Sequence, residues 1–584
     1  MKILLAVLLG IAPLSAQVVA STDYSVGATS VSIPNISSRI LGYVCLDSTG
    51  AQIFGSFPTS ANPSVIFFSP AVANAGVCTI FGAGGSSGGG GGGTGVPGPT
   101  AVDWVSQIKN KPFVEVRSYN FTAQRPGGTL TASSPASVRL NPCPPGVSGT
   151  DTNHYLRVVG GTGTAEAVLI TGGSCASGIS SGTVSFTPAN SHSGAWTVTS
   201  ASSGIQEAIL SSTNGSTIYM TTGTYPVYAT IYVDRTIVFQ GASMSGTVIQ
   251  GQTPSAGLFN AVVNSTWKDM HLTSASHQTT GAYGVKLDAL GSASNSFSAF
   301  DHVLLSNLWD GILGVNASQF TVTSSFFLNF WHTGITTGDA NSPDAGGPTI
   351  TGSNFFNYAV SPTASAAFQI NSTGDITFAN NGVNGSANQI NTGVSLAATV
   401  SSGLLIDNND FENLGFSGVH IAGTFELINI NNNHFSQFGG IGNPNSYWGV
   451  LTEDGAGTGV SFGTISGNVM LGIGPSSSNN GIAIQGHSNQ WTIDGNFMNG
   501  FGQGVFVQDT TSLITVGHHS IANGGSDLVG FGSATFVLSS PVAFSKMGAW
   551  KDGSIIFCTD CTSDCSAGSS NGQFCKRING AWTN

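Results

Sequence analysis

The sequence predicts an all-β chain built around a right-handed parallel β-helix, and three observations carry that prediction. One short phrase returns through the second half: Asn, one or two aromatic residues, a short gap, Gly, then alternating apolar residues. Its copies open at Asn307, Asn329, Asn413 and Asn499 and reach their glycines at Gly311, Gly334, Gly418 and Gly504, while Gly449 and Gly481 repeat the strand half alone. Strands lying between the copies end in Asn-rich corners, at 404–411, 427–435 and 491–498. The copies recur at irregular intervals of about 20–35 residues, with period-2 strands and sharp turns but no helical segment between them. A unit of this kind cannot bury its apolar face alone and must stack on its neighbours.

Composition agrees with a solenoid. The 584 residues include 81 Gly and only 7% charged residues, yet 40% are apolar and the alternation is regular, so the Gly, Ser, Thr and Asn richness is that of ordered turns. A solenoid also has no size ceiling, since each coil touches only its neighbours. The formal net charge is −12, and no Lys or Arg occurs between Lys286 and Lys546. That excludes a nucleic-acid partner along the coils, because phosphate binding needs cations. It equally excludes an Arg-rich site for a polyanionic sugar.

Residues 1–20 are expected to be a secretory signal peptide: Lys2 supplies the positive start, Ile3–Pro13 the apolar core, and Ala16 or Ala20 a small residue for cleavage. No other apolar run reaches the ~18–20 residues of a membrane span. The expected destination is extracellular, and eight cysteines suit it. Cys45 is expected to pair with Cys78 and Cys143 with Cys175. Cys558, Cys561, Cys565 and Cys575 form a terminal group that allows three disulfide connectivities, with a zinc site as the other reading of its C-x-x-C.

Residues 21–82 are expected to form a small β domain, followed at 83–98 by a flexible Gly/Ser linker. The linker contains G-x-G spacings, but no strand-to-helix transition frames them, so it is no phosphate loop. Residues 99–202 are expected to be a β-rich connecting domain, with strands near 154–160 and 182–188. Within it, 102–112 resembles a segment of bacteriophage tail fibres at Trp104, Ile108, Lys111 and Pro112. The β-helix is assigned to 203–535. Ser203 is a candidate N-cap for a short amphipathic helix with Ile205, Ala208 and Ile209 on one face, which would close the open apolar end of the first coil.

That helix, the strand from Thr217 and the strand from Ile237 resemble the entry coil of the pectate-lyase-like β-helix superfamily, which includes polysaccharide lyases, glycoside hydrolases and phage tailspikes. The resemblance implies the fold and a carbohydrate-directed role. The coils lack the Asn-Thr-Asp, Asp-Asp, Gly-His-Gly and Arg-Ile-Lys motifs of polygalacturonase-type enzymes, and they offer no Arg for a lyase base; Asp301-His302 is the one dipeptide shared with the lyases. Residues 536–584 are assigned to a cap and Cys-rich tail, similar to tails on secreted bacterial β-helix and fibre-like proteins.

Stacking suggests where chemistry could sit. With the phrase Gly as a ruler, Asp454, Gly486 and Asp509 lie five residues beyond Gly449, Gly481 and Gly504, and form one column if those glycines begin consecutive coils. Two coil steps put the two Asp backbones about 10 Å apart, near the roughly 6.5–9.5 Å carboxyl spacing of inverting glycosidases. In that reading Asp454 and Asp509 are acid and base, and Glu453 raises a neighbour's pKa by like-charge proximity. His487, Trp448 and Trp331 are the candidate substrate contacts. The competing readings are turn carboxylates and calcium ligands, and no other cofactor or metal is called for. Trp309 and Trp331 occupy matching phrase positions and are expected to pile on each other. The Asn runs are expected to be ladders, with Phe411, Phe435 and Phe497 stacked in the core behind them. Two functional classes follow: an exported protein acting on a neutral or weakly charged polysaccharide, or a non-catalytic glycan-binding or fibre-like surface protein. The sequence leaves a homotrimer open.

Overall fold

A computed structural model describes residues 128–584 outside a set of connections: 145–152, 176–181, 289–296, 339–346, 359–362, 398–402, 423–426, 439–446, 454–461, 473–478, 486–489, 508–512, 537–554, 567–571 and some shorter breaks. Within 16–123 and 520–536 it describes strand backbones, with few side chains. The chain divides into two compact units, Met1–Gly95 and Val96–Asn584.

The first unit holds a four-stranded antiparallel sheet and a three-stranded one. Cys45 and Cys78 face each other in the register between Ile40–Asp47 and Gly76–Ala83.

The second unit begins with a strand, Phe113–Glu115, that pairs in parallel with Ser216–Met220 of the solenoid. The chain then forms a closed six-stranded antiparallel barrel over 120–200, cored by Leu140, Leu156, Val158, Val184, Phe186 and Val198. The Cys143–Cys175 disulfide ties the barrel's connections. The fibre-like segment at 102–112 lies outside the described residues.

The helix Ile205–Leu210 seals the solenoid's end with Ile205, Ala208 and Ile209. Its N-cap is Gly204 rather than Ser203. Ser203 turns its hydroxyl onto the Pro226 carbonyl, and Ser202 Oγ accepts the Gln206 N–H at 2.9 Å. On the outer side of this helix Glu207 is fully buried and bonded to His154 of the barrel (3.2 Å), Ser200 (2.8 Å) and Ser202 (3.3 Å), so barrel and cap share one buried polar joint.

Beyond the cap the fold is the expected right-handed parallel β-helix. One strand per coil builds a twelve-stranded parallel sheet from Ile231–Val233 to Ser526–Gly530. Two further strands per coil, joined by a tight corner, build the remaining walls, also in parallel register. Inside, aromatic rings stack from rung to rung: Trp267 on Phe300 at 4.8 Å, Phe327 on Phe355 at 4.5 Å, Phe411 on Phe435 at 5.0 Å.

The Asn-rich corner has a mechanical explanation. Its first residue sits in the left-handed region at Ser324, Gly352, Asn380, Asn408, Asn432, Gly467 and Gly495, a conformation that Gly and Asn accept most readily. The next residue points inward. Asn381, Asn409, Asn433, Asn468 and Asn496 form a buried ladder in which each Nδ2 donates to the next Oδ1 at 2.8–3.1 Å. Each Oδ1 from Asn409 onward also accepts the backbone N–H of the ladder residue one rung earlier. The residue after the ladder Asn faces out and the one after that faces in, so Phe435 stacks in the core. Phe497, expected beside it, is 37% exposed, and Met498 takes the interior place.

The tail folds as a three-stranded antiparallel sheet, Ile555–Cys558, Gln573–Ile578 and Ala581–Thr583, closed by Cys558–Cys561 and Cys565–Cys575. Those bonds take up the sulfurs a zinc site would need, although Asp560 lies close to Cys558 and Cys561. Among the described residues no helix is long and apolar enough to cross a membrane.

Replacing Asn433 by Ala strands the Asn409 N–H groups on one side and removes the side-chain donor to the Ile406 carbonyl and to Asn468 Oδ1 on the other. It should lower unfolding stability by about 2–4 kcal/mol, read from the denaturant midpoint. Asn432→Gly, at φ 56 on the same corner, should be close to neutral. Equal effects from the two would sink the ladder account.

Candidate functional site: the outer face of the twelve-stranded sheet

The phrase glycines point into the solenoid. A Cβ at Gly334 would meet the Ala367 carbonyl and the Phe355 ring, each at 2.6 Å, and one at Gly449 would meet the Gly481 carbonyl at 2.7 Å and Met470 Sδ at 3.0 Å. The apolar residue after each Gly also faces inward, so the chain bulges there and the residue before each Gly faces outward. That outward column runs Asp310, Thr333, Ala366, Thr392, Ser417, Trp448, Asn480 and Gln503, in register on successive rungs. A second outward column runs through Leu313, Thr336, Gln369, Ser395, His420 and Leu451. The phrase's opening Asn makes the corner into this sheet, with positive φ at Asn307, Asn329 and Asn413; in the last copy Gly500 takes that conformation.

Although outward-facing, much of this surface is hidden. Asp310, Thr333, Thr336, Ala366, Thr392, Ser417, Leu451 and Asn480 are all at most 8% exposed. The outer faces of the other walls are open by comparison, with Phe326, Leu427 and Phe462 at 44–52%. The twelve-stranded sheet therefore presents a recessed floor.

Two groups of polar and aromatic side chains stand on that floor. In the first, His420 Nε2 lies 3.0 Å from Glu453 Oε2 one rung on. Phe416 packs edge-on against both His420 and Trp448, each at 5.2 Å. Trp448 Nε1 and Asn480 Oδ1, neighbours in register, are buried and have no hydrogen-bond partner among the described residues.

In the second, Asp310 accepts hydrogen bonds from His332 Nδ1 (2.7 Å) and the Thr333 hydroxyl (2.6 Å), and Thr333 reaches Thr336 Oγ1 at 2.6 Å. Trp309 stacks on the His332 ring at 5.5 Å and 10°. The hydrogen bond to Asp310 pushes the His332 pKa above 6.5, with the Asp310 charge adding to it and partial burial opposing.

Three of the sequence-predicted site residues can be placed. Glu453 and Trp448 come together around Phe416 and His420, at opposite ends of one strand. Trp331 stands several rungs away, against His277 at a ring separation of 3.5 Å. It does not pile on Trp309. The second phrase has one more residue between its Asn and its Gly than the first, so aligning on Gly brings His332, not Trp331, over Trp309. Asp454, Asp509, His487 and Gly486 lie outside the described residues. The premise behind their column does hold in register: Gly449, Gly481 and Gly504 mark consecutive rungs.

Asp310, His332 and His420 were missed as partners of a carboxylate–imidazole pair. The signal was present in the Gly alignment, which sets Asp310 and Thr333 at one position and Trp309 and His332 at the one before. Elsewhere, Asp410, Glu412 and His434 share an outer wall, with His434 Nδ1 2.7 Å from Asp410 and Asn384 donating to Glu412 at 2.7 Å. That wall carries two shallow hollows of about 220 and 480 Å³. Its Asp410–His434 pair is open to solvent, at 52% and 41% side-chain exposure. A hollow of about 740 Å³ on the barrel is lined by Arg139, Thr183 and Trp196 among others.

The fold and this floor define the class: a right-handed parallel β-helix with an N-terminal barrel and a disulfide-closed tail. No protein-family model and no curated protein sequence matches the chain. Among solved structures it is similar to the catalytic unit of a thermostable GH87 α-1,3-glucanase from Streptomyces thermodiastaticus strain HF3-3, with a TM-score of 0.43 at 12% identity over 73% of this chain and 96% of that one. The Agl-KA catalytic domain gives 0.36 at 9% identity, over 75% and 100%. Tailspike protein 3 of bacteriophage CBA120 gives 0.33 at 12%, over 65% of each. These are likenesses of architecture and transfer no residue or activity.

Because the folded His332 pKa lies above its free value of 6.5, the stability from its pairing with Asp310 is complete below about pH 6.5 and is lost as pH rises through the folded value. The stability difference between wild type and His332→Gln should be larger at about pH 5.5 than at about pH 8.5, as denaturant midpoints would report. A pH-independent difference would contradict the pairing.

Proposed function

We propose that this chain is an exported, carbohydrate-directed protein that holds a neutral or weakly charged polysaccharide on the floor of its twelve-stranded sheet and cleaves it there by acid/base chemistry. The observation that carries the reading is the pair of buried, unpartnered atoms Trp448 Nε1 and Asn480 Oδ1 beside an aromatic edge on a recessed surface. An unsatisfied buried donor or acceptor costs about 1–3 kcal/mol. A sugar hydroxyl both donates and accepts, so one ring placed here could satisfy both atoms while its apolar face meets Phe416 and Trp448. The coils from 287 to 545 hold no Lys or Arg to balance a polyanion, which favours an uncharged chain. Export rests on the apolar N-terminal run after Lys2 and on the disulfides.

For cleavage, Asp454 and Asp509 are the proposed pair. Glu453, at the end of the Trp448 strand, leads directly into Asp454. In an inverting reaction one carboxyl protonates the glycosidic oxygen as the bond from the anomeric carbon breaks. The other carboxylate takes a proton from the water whose oxygen forms the new bond to that carbon. The second reading, glycan binding without cleavage, draws on the carboxylate at the far end of the Trp448 strand: Glu453 is already engaged by His420.

Reducing-sugar release and ultraviolet absorbance of unsaturated products, measured across a polysaccharide panel, separate these readings. Release by wild type that falls by about a hundredfold or more in Asp454→Asn and in Asp509→Asn supports the acid/base pair. Binding without release, weakened in Trp448→Ala, supports the second reading. Neither binding nor release on any glycan removes the carbohydrate assignment.

A further inference from the structure

The Asp310–His332 group is the most elaborate polar network on the floor among the described residues, and the proposed cleavage does not use it. Asp310 is 6% exposed and engaged by His332 and Thr333; Thr333 is fully buried and engaged by Thr336. The result is one oriented imidazole. Its Nδ1 is committed to the carboxylate, one face is covered by Trp309, and 43% of the side chain remains exposed. Nε2 has no partner among the described residues. The preceding residue, Trp331, has a buried Nε1 that also lacks a partner among the described residues.

The location matters as much as the chemistry. Thr333 and Ser417 belong to one outward column, three rungs apart, or about 14 Å at the strand spacing of a sheet. The rungs between them present Ala366 and Thr392, both small side chains, at 0% and 4% exposure. Phe416 and His420 stand at one end of that line, Trp309 and His332 at the other.

We propose that His332 and Trp309 form a second sugar-contacting subsite, and that a neutral polysaccharide chain laid along the solenoid axis engages this subsite and the Trp448 group at once. The proposal rests on the glycan reading of the floor given above. His332 Nε2 meets a sugar oxygen or hydroxyl, and the half-buried Trp309 stacked on the imidazole lines the same position. Asp310 is a positioning residue: it fixes the imidazole's tautomer and ring angle and does not itself reach the sugar. A short oligomer fits at the Trp448 group alone. A longer one gains the second contact without new translational cost, so length should control affinity.

The test is calorimetric binding of the full chain to neutral glucan, galactan and xylan oligomers graded from disaccharide upward. Wild-type affinity is expected to rise with length. His332→Gln and Trp309→Ala should each lower affinity for the longest oligomers by about five- to tenfold, the worth of one good contact, and leave the shortest binders unchanged. Asp310→Asn, which is isosteric, should lower long-oligomer affinity in the same way, and combining it with His332→Gln should add nothing further. Trp448→Ala should weaken every length. If His332→Gln and Trp309→Ala leave all lengths unchanged, or weaken short and long oligomers alike, the second subsite is overturned while the Trp448 reading stands. A wild type that binds no oligomer of any length overturns both.

Discussion

The vertical register of parallel strands is the constraint on which everything else depends. Each coil pairs with the one before it along three strands, and the whole interior is built from like residues placed over like. A stack of this kind is vulnerable at its corners, where the backbone leaves the ladder and its polar groups lose their partners. The buried Asn column answers that need. Each side-chain oxygen takes the N–H of the corner residue one rung earlier, and each side-chain amide donates both to the next oxygen and to a strand carbonyl, as Asn409 does to Asn433 and to Phe378. The same side chains therefore turn the chain and hold the rungs in register. At the cap the logic differs: there the interior is closed by a helix whose outward Glu207 is buried against the barrel.

Much of this architecture was legible in the sequence because it repeats. The Asn-then-Gly phrase carries two separate demands, a left-handed corner at Asn307, Asn329 and Asn413 and a column with no room for a side chain at the glycines. Both are local and both recur, so a single sequence displays them. Errors came where the count between the two demands changed. One inserted residue between Asn329 and Gly334 moved Trp331 off Trp309 and put His332 there instead. In the corner at Asn496 the outward place, not the inward one, fell to the aromatic Phe497, which moved from the expected core to the surface. In a stacked fold, the anchor chosen for alignment decides which side chains become neighbours.

The site was legible only in part, for a related reason. His332 meets Asp310 across 22 residues and His420 meets Glu453 across 33, and those separations are set by connections of irregular length. No fixed spacing announces such pairs. What the sequence did show was composition: a stretch of coils without Lys or Arg, in which histidine supplies the only basic side chains. The structure gives that absence a location, since among the described residues His332 and His420 on the recessed floor are each held against a carboxylate.

A floor so arranged favours ligands that offer hydroxyls rather than charge. Each imidazole is already committed to a carboxylate and the coils from 287 to 545 carry no Lys or Arg, so a uronate or sulfate laid beside it would lose hydration and find no free cation in return. A neutral pyranose makes no such demand. Its hydroxyls can serve the unpartnered Trp448 Nε1 and Asn480 Oδ1, and its apolar face can lie against the aromatic edges nearby. The rungs supply a further element of fit, because a regular stack offers similar contacts at a regular pitch along its axis. Linear polymers with a short chemical repeat are the ligands best able to use that regularity, while a compact partner would touch only one or two rungs. In the proposed glycan reading, ligand shape and ligand charge thus act together, an extended and uncharged polymer lying along the sheet.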